Sequence, residues 1–278
     1  MILMTGRELA GKIREQLRHR IETEKLTPGL AVILVGEDAA SEKYVSIKER
    51  ACQSIGISFF AHKYNANASQ GEILSLIDTL NNDSNITGII VQLPLPKGLS
   101  EEIILNRIMP SKDVDGLTKE NQQKLEEGLE GLRPATPEGV LNLLYYYQIP
   151  LKDQKIAVIG RSILVGKPIA IMLGQAGAIV SVGHSQTSDI GEITKTADIV
   201  ISAVGKPNLI IAQMVKEGAV IIDVGTTPVN GEIVGDVEFN TVSQKASLVT
   251  PTIGGVGPMT VAMLLSNVLK AYDLQKGE

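Results

Sequence analysis

The sequence predicts an α/β fold in two domains, on three observations. Short apolar runs of strand type alternate with helical stretches along the chain, the order that gives mostly parallel sheets with helices on both faces. That rhythm breaks once, in the proline- and glycine-punctuated residues 94–136 with their charged stretch at 119–127. At 278 residues the chain is also long enough to bury two modest cores.

Taken in order, Thr5-x-x-Glu8 reads as a capping box before a helix on which Leu9, Ile13, Leu17 and Ile21 recur at four-residue steps. Residues 30–35 read as a buried strand, and Ser41 is expected to cap a helix reaching residue 55. A second strand follows at 57–64, then a helix capped by Ser69-x-x-Glu72, then a third strand at 87–93. After the break, Pro137 sits at an expected first helical position of a helix running to residue 147. Strands are expected at 155–160, 178–183, 198–203 and 219–224, with helices at 166–176 and 189–196 between them. Asn230-Gly231 marks a hairpin, and Pro258 opens a long apolar helix, 259–272. The expected division is residues 1–136 plus the C-terminal helix 258–278 as one domain and 137–257 as the other.

Composition removes several classes of function. Hydrophobic residues make up 44% and charged residues 21%, the balance of a globular protein. A net charge of −5 gives no general affinity for nucleic acid or an anionic membrane, so neither partner is expected. No apolar run reaches the length of a membrane span, and the N-terminus lacks the basic and apolar regions of a signal peptide. Cys52 is the single cysteine, which excludes an intrachain disulfide and fits a reducing compartment; a cytoplasmic location is expected.

The chemistry is concentrated in five places. Gly160 to Pro168 follows the apolar run 155–159, so a strand ends in a glycine turn that opens a helix. Such a turn lets backbone N–H groups and the helix N-terminus meet a phosphate. Five residues separate Gly160 from Gly166 and Pro168 stands where a P-loop has Ser or Thr, which excludes that motif; Ser162 replaces the second glycine of Gly-x-Gly-x-x-Gly. A nucleotide site and a plain tight turn both remain open on this segment alone. Tyr44 and Lys48 share a helix face, either lining a ligand site or packing ring on stem. Gln92, at a strand end before Pro94 and Pro96, is placed for a ligand or is a satisfied strand-end amide. Lys112-Asp-Val-Asp115-Gly116 lacks the rest of a calcium loop, so no metal is expected; a carboxylate accepting two donors from a planar heterocycle is the alternative. Gly254-Gly-Val-Gly-Pro258 is either a hinge or a close backbone approach to a ligand.

Taken together with Thr136-Pro-Glu-Gly139, Asp223-Val-Gly225, Gly235-Asp-Val237 and Gly254 to Val261, these segments resemble, in order, the bifunctional methylenetetrahydrofolate dehydrogenase/methenyltetrahydrofolate cyclohydrolase family. The resemblance implies two α/β domains around a cleft, the second a Rossmann-like parallel-sheet dinucleotide-binding domain. It implies oxidation of methylenetetrahydrofolate by a nicotinamide cofactor and hydrolysis of the methenyl product to formyltetrahydrofolate, within one-carbon metabolism serving purine, methionine and histidine synthesis. By resemblance Lys48 is the catalytic group for hydrolysis, Gln92 orients it, Tyr44 stacks on the benzoyl ring and Asp115 anchors the pterin. Gly160, Arg161, Ser162, Ser185 and Thr226 would hold the cofactor, and a homodimer is expected.

An NAD site wants an acid about 20 residues beyond the glycine turn. Here the corresponding strand ends Val182-Gly-His-Ser185, without one, and Arg161 and Ser185 suit a 2′-phosphate, so NADP is favoured. Ala135, Leu117, Thr226 and Thr252-Ile253 depart from the family pattern but remove no proposed catalytic group. A generic hydroxy-acid dehydrogenase would need a His–Asp pairing, and only His19, His62 and His184 are available.

Overall fold

The computed structural model describes Met1–Gly277. In chain order it contains β1 (Ile2–Leu3), α1 (Arg7–Glu24), β2 (Gly29–Val35), α2 (Ala39–Ile55), β3 (Ser58–Tyr64), α3 (Gln70–Asn82), β4 (Gly88–Val91), α4 (Glu101–Leu105), α5 (Lys119–Glu127) and α6 (Ala135–Tyr146). There follow β5 (Lys155–Ile159), α7 (Gly166–Gln175), β6 (Ile179–Gly183), α8 (Ile190–Thr194), β7 (Ile199–Ser202), β8 (Val220–Asp223), β9 (Thr227–Val229), β10 (Glu232–Val234), α9 (Phe239–Val242), β11 (Leu248–Val249) and α10 (Val256–Lys276). The chain divides into two compact units, one of Gly11–Ala135 with Val261 onward, the other of Met1–Ala10 with Thr136–Thr260.

The first unit is built on a parallel sheet in the order β3-β2-β4. Central β2 is Gly-Leu-Ala-Val-Ile-Leu-Val, buried at every residue, the composition of a strand covered on both faces. Ala31, Ile33 and Val35 of β2 join Ile89 and Val91 of β4, Ile73, Ile77 and Leu80 of α3, and Ile104 and Leu105 of α4 in one core. Each such Val, Leu or Ile side chain contributes about 1.5–3 kcal/mol through burial. Ser69 and Glu72 form the expected capping box on α3. On α2 the cap is Asp38, not Ser41: the Asp38 carboxylate accepts the Ser41 N–H at 2.7 Å, and Ser41 lies inside the first turn.

The second unit carries a parallel sheet in the order β1-β11-β8-β7-β5-β6. From β5 the chain goes outward to β6 and then returns to place β7 on the other flank of β5, so the winding reverses at β5. Ligands of open α/β sheets bind beyond the strand carboxyl ends at such a reversal. The core beneath includes Ala157, Ile159, Val200, Ile221, Val237 and Val249. Asn230 and Gly231, at φ +50° and +86°, make the hairpin turn between β9 and β10.

Three boundaries differ from the sequence expectation. Met1–Ala10 belong to the second unit, because Ile2 and Leu3 extend its sheet beside Leu248 and Val249 and the Thr5 N–H donates to the Tyr147 hydroxyl at 2.9 Å. α6 starts at Ala135, so Pro137 is its third residue, still within the first turn where the missing N–H has no intrahelical role. The boundary at the C-terminal end falls within α10, after Thr260. Among the described residues no helix is long and apolar enough to cross a membrane.

Candidate active site

In the first unit α2 presents Tyr44 and Lys48 one turn apart, and Gln92 stands just past the end of β4. The Lys48 Nζ donates to Gln92 Oε1 at 3.1 Å. Gln92 Nε2 donates to the Leu93 carbonyl at 2.8 Å, which fixes the amide so that its oxygen faces the lysine. Tyr44 is 48% exposed.

Asp115 is supplied by the loop between α4 and α5. Burial raises its carboxyl above the usual aspartate range; the nearby Lys48 ammonium opposes the rise and Asp113 adds to it. The loop is held by its own neighbours. Buried Lys112 donates to the Leu80 and Asp83 carbonyls at 3.1 and 2.8 Å, at the C-terminal end of α3. The Asp113 carboxylate accepts the Thr118 N–H and the Asn121 amide at 2.8 and 2.9 Å. From α10, Asn267 Nδ2 donates to the carbonyls of Val114 and Arg133 at 2.8 and 2.7 Å. Gly116, at φ +66°, would put a Cβ 2.7 Å from the Arg133 carbonyl carbon. Lys112, Asp113, Val114 and Gly116 of the motif therefore shape the loop that carries Asp115.

In the second unit the glycine turn lies at the carboxyl end of β5 and opens into the ten-residue α7. Gly160 has φ +119°, and a Cβ there would lie 2.5 Å from the Ala203 carbonyl oxygen; a Cβ on Gly166 would lie 2.2 Å from the Gly160 carbonyl oxygen. This glycine turn ahead of a helix N-terminus, with no room for a Cβ at Gly160 or Gly166, fits a dinucleotide pyrophosphate. The Ser162 hydroxyl accepts the N–H groups of Val165 and Gly166 at 3.2 and 3.5 Å and so shapes the turn. Arg161 Nη2 donates to Gln186 Oε1 at 3.3 Å, joining the loops after β5 and β6 with exposed Ser185 beside them. His184 is turned onto its own loop, its Nδ1 accepting the Gln186 N–H at 3.2 Å. Thr226 is exposed after β8.

Of the departures from the family pattern, Leu117 lies in the first unit's core and Ala135 is buried at the start of α6, whereas Ile253 is 64% exposed. Sequence reasoning gave no role to Asn267, Ser202, Asp223 or Asp236, all buried polar groups in hydrogen-bond networks. Asp223 carried a physical signal, since an acid closing an apolar strand needs donors, and Asp236 stands within the Gly235-Asp-Val237 segment.

Comparisons with known proteins show the family to which the chain belongs. Residues 4–115 match the model of the tetrahydrofolate dehydrogenase/cyclohydrolase catalytic domain, and residues 134–276 match the model of that family's NAD(P)-binding domain. The chain is 47% identical over 275 residues to the bifunctional protein FolD of Nautilia profundicola, covering 98% of this chain and 97% of that one. The crystal structure of the Campylobacter jejuni bifunctional enzyme FolD, a methylenetetrahydrofolate dehydrogenase/cyclohydrolase, superposes with a TM-score of 0.96 at 46% identity over 99% of both chains. That of the Trypanosoma brucei dehydrogenase-cyclohydrolase, complexed with NADP and inhibitor, does so with 0.95 at 33% identity, over 100% of this chain and 99% of that one. With both domain models matched in order and almost half the residues shared with such relatives along nearly its whole length, the chain belongs to the tetrahydrofolate dehydrogenase/cyclohydrolase family.

Proposed function

We propose that this member of the family performs both reactions, with Lys48, Gln92, Tyr44 and Asp115 acting on the folate and Gly160, Arg161, Ser162, Ser185 and Thr226 holding NADP. The observation that carries the reading is the Lys48–Gln92 hydrogen bond, 3.1 Å long, with Asp115 close enough to feel the lysine's charge. An amine oriented by an amide and flanked by a buried carboxyl suits proton transfer and heterocycle recognition on one substrate.

In the first reaction hydride leaves the methylene carbon of methylenetetrahydrofolate, driven by the lone pair of the adjacent folate nitrogen. That step needs alignment and no protein acid or base. When bound, the nicotinamide supplies the hydride acceptor. The Tyr44 ring takes the benzoyl group and Asp115 accepts hydrogen bonds from the pterin, so both orient the carbon. In the second reaction water adds to the methenyl carbon of the cationic product. The Lys48 Nζ takes the proton that the water loses as the C–O bond forms, and Gln92 keeps the Nζ aimed. The adduct's hydroxyl then gives up its proton as its oxygen becomes the formyl carbonyl, the ring C–N bond breaks and the freed nitrogen takes a proton, which gives formyltetrahydrofolate.

NADP rather than NAD is supported by Arg161 and the hydroxyl of Ser185 at the two meeting loops, with no acid at the tip of β6 to take ribose hydroxyls. The Trypanosoma brucei relative, solved with NADP, points the same way. A homodimer through the second unit is supported by β6, an edge strand with Ile179 56% and Val182 41% exposed. A cytoplasmic location and service to purine, methionine and histidine synthesis belong to the same proposal.

The test is purified protein with methylenetetrahydrofolate and either NADP or NAD, following NADPH and methenyl absorbance together. NADPH should rise without methenyl accumulating, above the spontaneous hydrolysis rate. Accumulating methenyl would remove the second activity, equal efficiency with NAD would overturn the cofactor choice, and silence with both cofactors would remove the first activity.

A further inference from the structure

We propose that Asp236, held in place by Asp223, is a positioning residue for the cofactor: it fixes the main chain that walls the glycine turn. The proposal rests on the reading of the second unit as the cofactor site.

Asp236 is fully buried and Asp223 is 4% exposed, yet among the described residues neither pairs with a Lys or Arg. A buried carboxylate without a cation must be satisfied by hydrogen-bond donors. Asp236 takes them from the loop after β7. Its Oδ2 accepts the Ser202 hydroxyl at 2.9 Å and the N–H groups of Val204 and Gly205 at 2.7 and 3.3 Å, and its Oδ1 accepts the Lys206 N–H at 2.8 Å. Three consecutive amides thus converge on one carboxylate. Asp223 repeats the device one strand over: Oδ1 accepts the N–H groups of Gly225 and Asp236, each at 3.0 Å, and Oδ2 accepts that of Val237 at 3.2 Å. Asp223 therefore fixes both the entry to Thr226 and the backbone that carries Asp236.

The two glycines beside these acids are sterically required. A Cβ on Gly225 would lie 2.2 Å from Asp236 Oδ1, and one on Gly235 would lie 1.9 Å from Asp223 Oδ2. What the network shapes is the carboxyl edge of the sheet. Ala203, the first residue of the loop that Asp236 gathers, puts its carbonyl oxygen where any Cβ on Gly160 would have to go. Moving residues 203–206 would therefore deform the turn that meets the pyrophosphate. The amides of 204–206 are also already committed to Asp236, so this loop cannot compete with α7 for phosphate, and the pyrophosphate has one place to sit.

Asp236→Asn is the direct test, because it turns one carboxylate oxygen into an NH₂ group facing main-chain donors. The expected result is at least a tenfold rise in KM for NADP and in the dissociation constant for NADPH by calorimetry. Hydrolysis of methenyltetrahydrofolate, which uses no cofactor, should stay within twofold. Equal loss of both activities with a lowered Tm, or unchanged NADPH binding, would overturn the proposal. Hydrogen exchange of the unsubstituted protein is a second test, and it needs no variant to fold: the amides of Val204, Gly205 and Lys206 should be protected without cofactor. Exchange at the rate of free loops would overturn it. If instead the unsubstituted protein binds no NADPH while those amides are protected, the cofactor reading has failed and the network stands as architecture alone.

Discussion

In the proposed reading the first unit meets its ligand with side chains, whereas the second meets the pyrophosphate with backbone and keeps side chains, Arg161 and Ser185, for the 2′-phosphate. Lys48, Gln92 and Asp115 are functional groups on stems: the Leu93 carbonyl holds Gln92 toward Lys48, and the bonds from Lys112 to the α3 carbonyls and from Asn267 to the Val114 and Arg133 carbonyls hold the loop that carries Asp115. In the second unit the carboxylates face inward: Asp223 and Asp236 collect amides, and what reaches the sheet edge is a glycine turn at a helix N-terminus. The difference follows from the tasks. Proton transfer needs a titratable atom at one point, whereas a pyrophosphate needs a concave array of N–H groups, which side chains would obstruct.

The sharpest way to break this comparison is Lys48→Met, which keeps the stem and deletes the amine. Loss of a general base costs on the order of 10²–10⁴ in rate. Methenyl hydrolysis should fall by about 10³-fold, while NADPH still forms and methenyl absorbance builds up. Undiminished formyltetrahydrofolate from this variant would show that the proton goes elsewhere.

The counterpart in the second unit is Gly166→Ala, a substitution that removes no functional group. The added Cβ would stand 2.2 Å from the Gly160 carbonyl oxygen, so the turn must shift. A strain of roughly 2 kcal/mol converts to about a 30-fold rise in KM for NADP. Hydrolysis should remain within about twofold. Were hydrolysis to fall as far as NADP binding, the two units would not be separable in function.

How much of this was legible depends on how local the cause is. The burial of β2, the Ser69–Glu72 box and the Asn230-Gly231 turn each follow from a few adjacent residues, and each was readable. β1 and β11 were not, because two-residue strands have no periodicity and exist only through partners elsewhere in the chain: Ile2 lies beside Leu248, and Leu248 also lies beside Val220. The capping of α2 went to Asp38 over Ser41, two acceptors three residues apart that sequence cannot rank. At the candidate site the groups proposed to meet ligand stand out in the sequence as polar residues at strand ends and in glycine turns. Their supports do not. Asn267 acts on a carbonyl 153 positions away, and Asp236 on a hydroxyl 34 positions away, so nothing near either residue announces the role.

The smallest expected effect tests whether the two groups on the first unit act as one electrostatic set. Burial holds Asp115 above the usual aspartate range, so in mild acid it takes up a proton while ordinary aspartates stay ionised. The protonated carboxyl is a poorer acceptor for pterin donors. Folate affinity should therefore be full at neutral pH and fall several-fold as pH drops through that raised pKa, read by calorimetry with folic acid. Asp115→Asn should bind more weakly at neutral pH and show no such dependence. Lys48 opposes the rise, so Lys48→Met should move the onset of the loss to higher pH. A pH profile for Lys48→Met that overlays the unsubstituted one would mean that the amine and the carboxyl serve the substrate independently, and that the first unit's site is a collection of separate contacts.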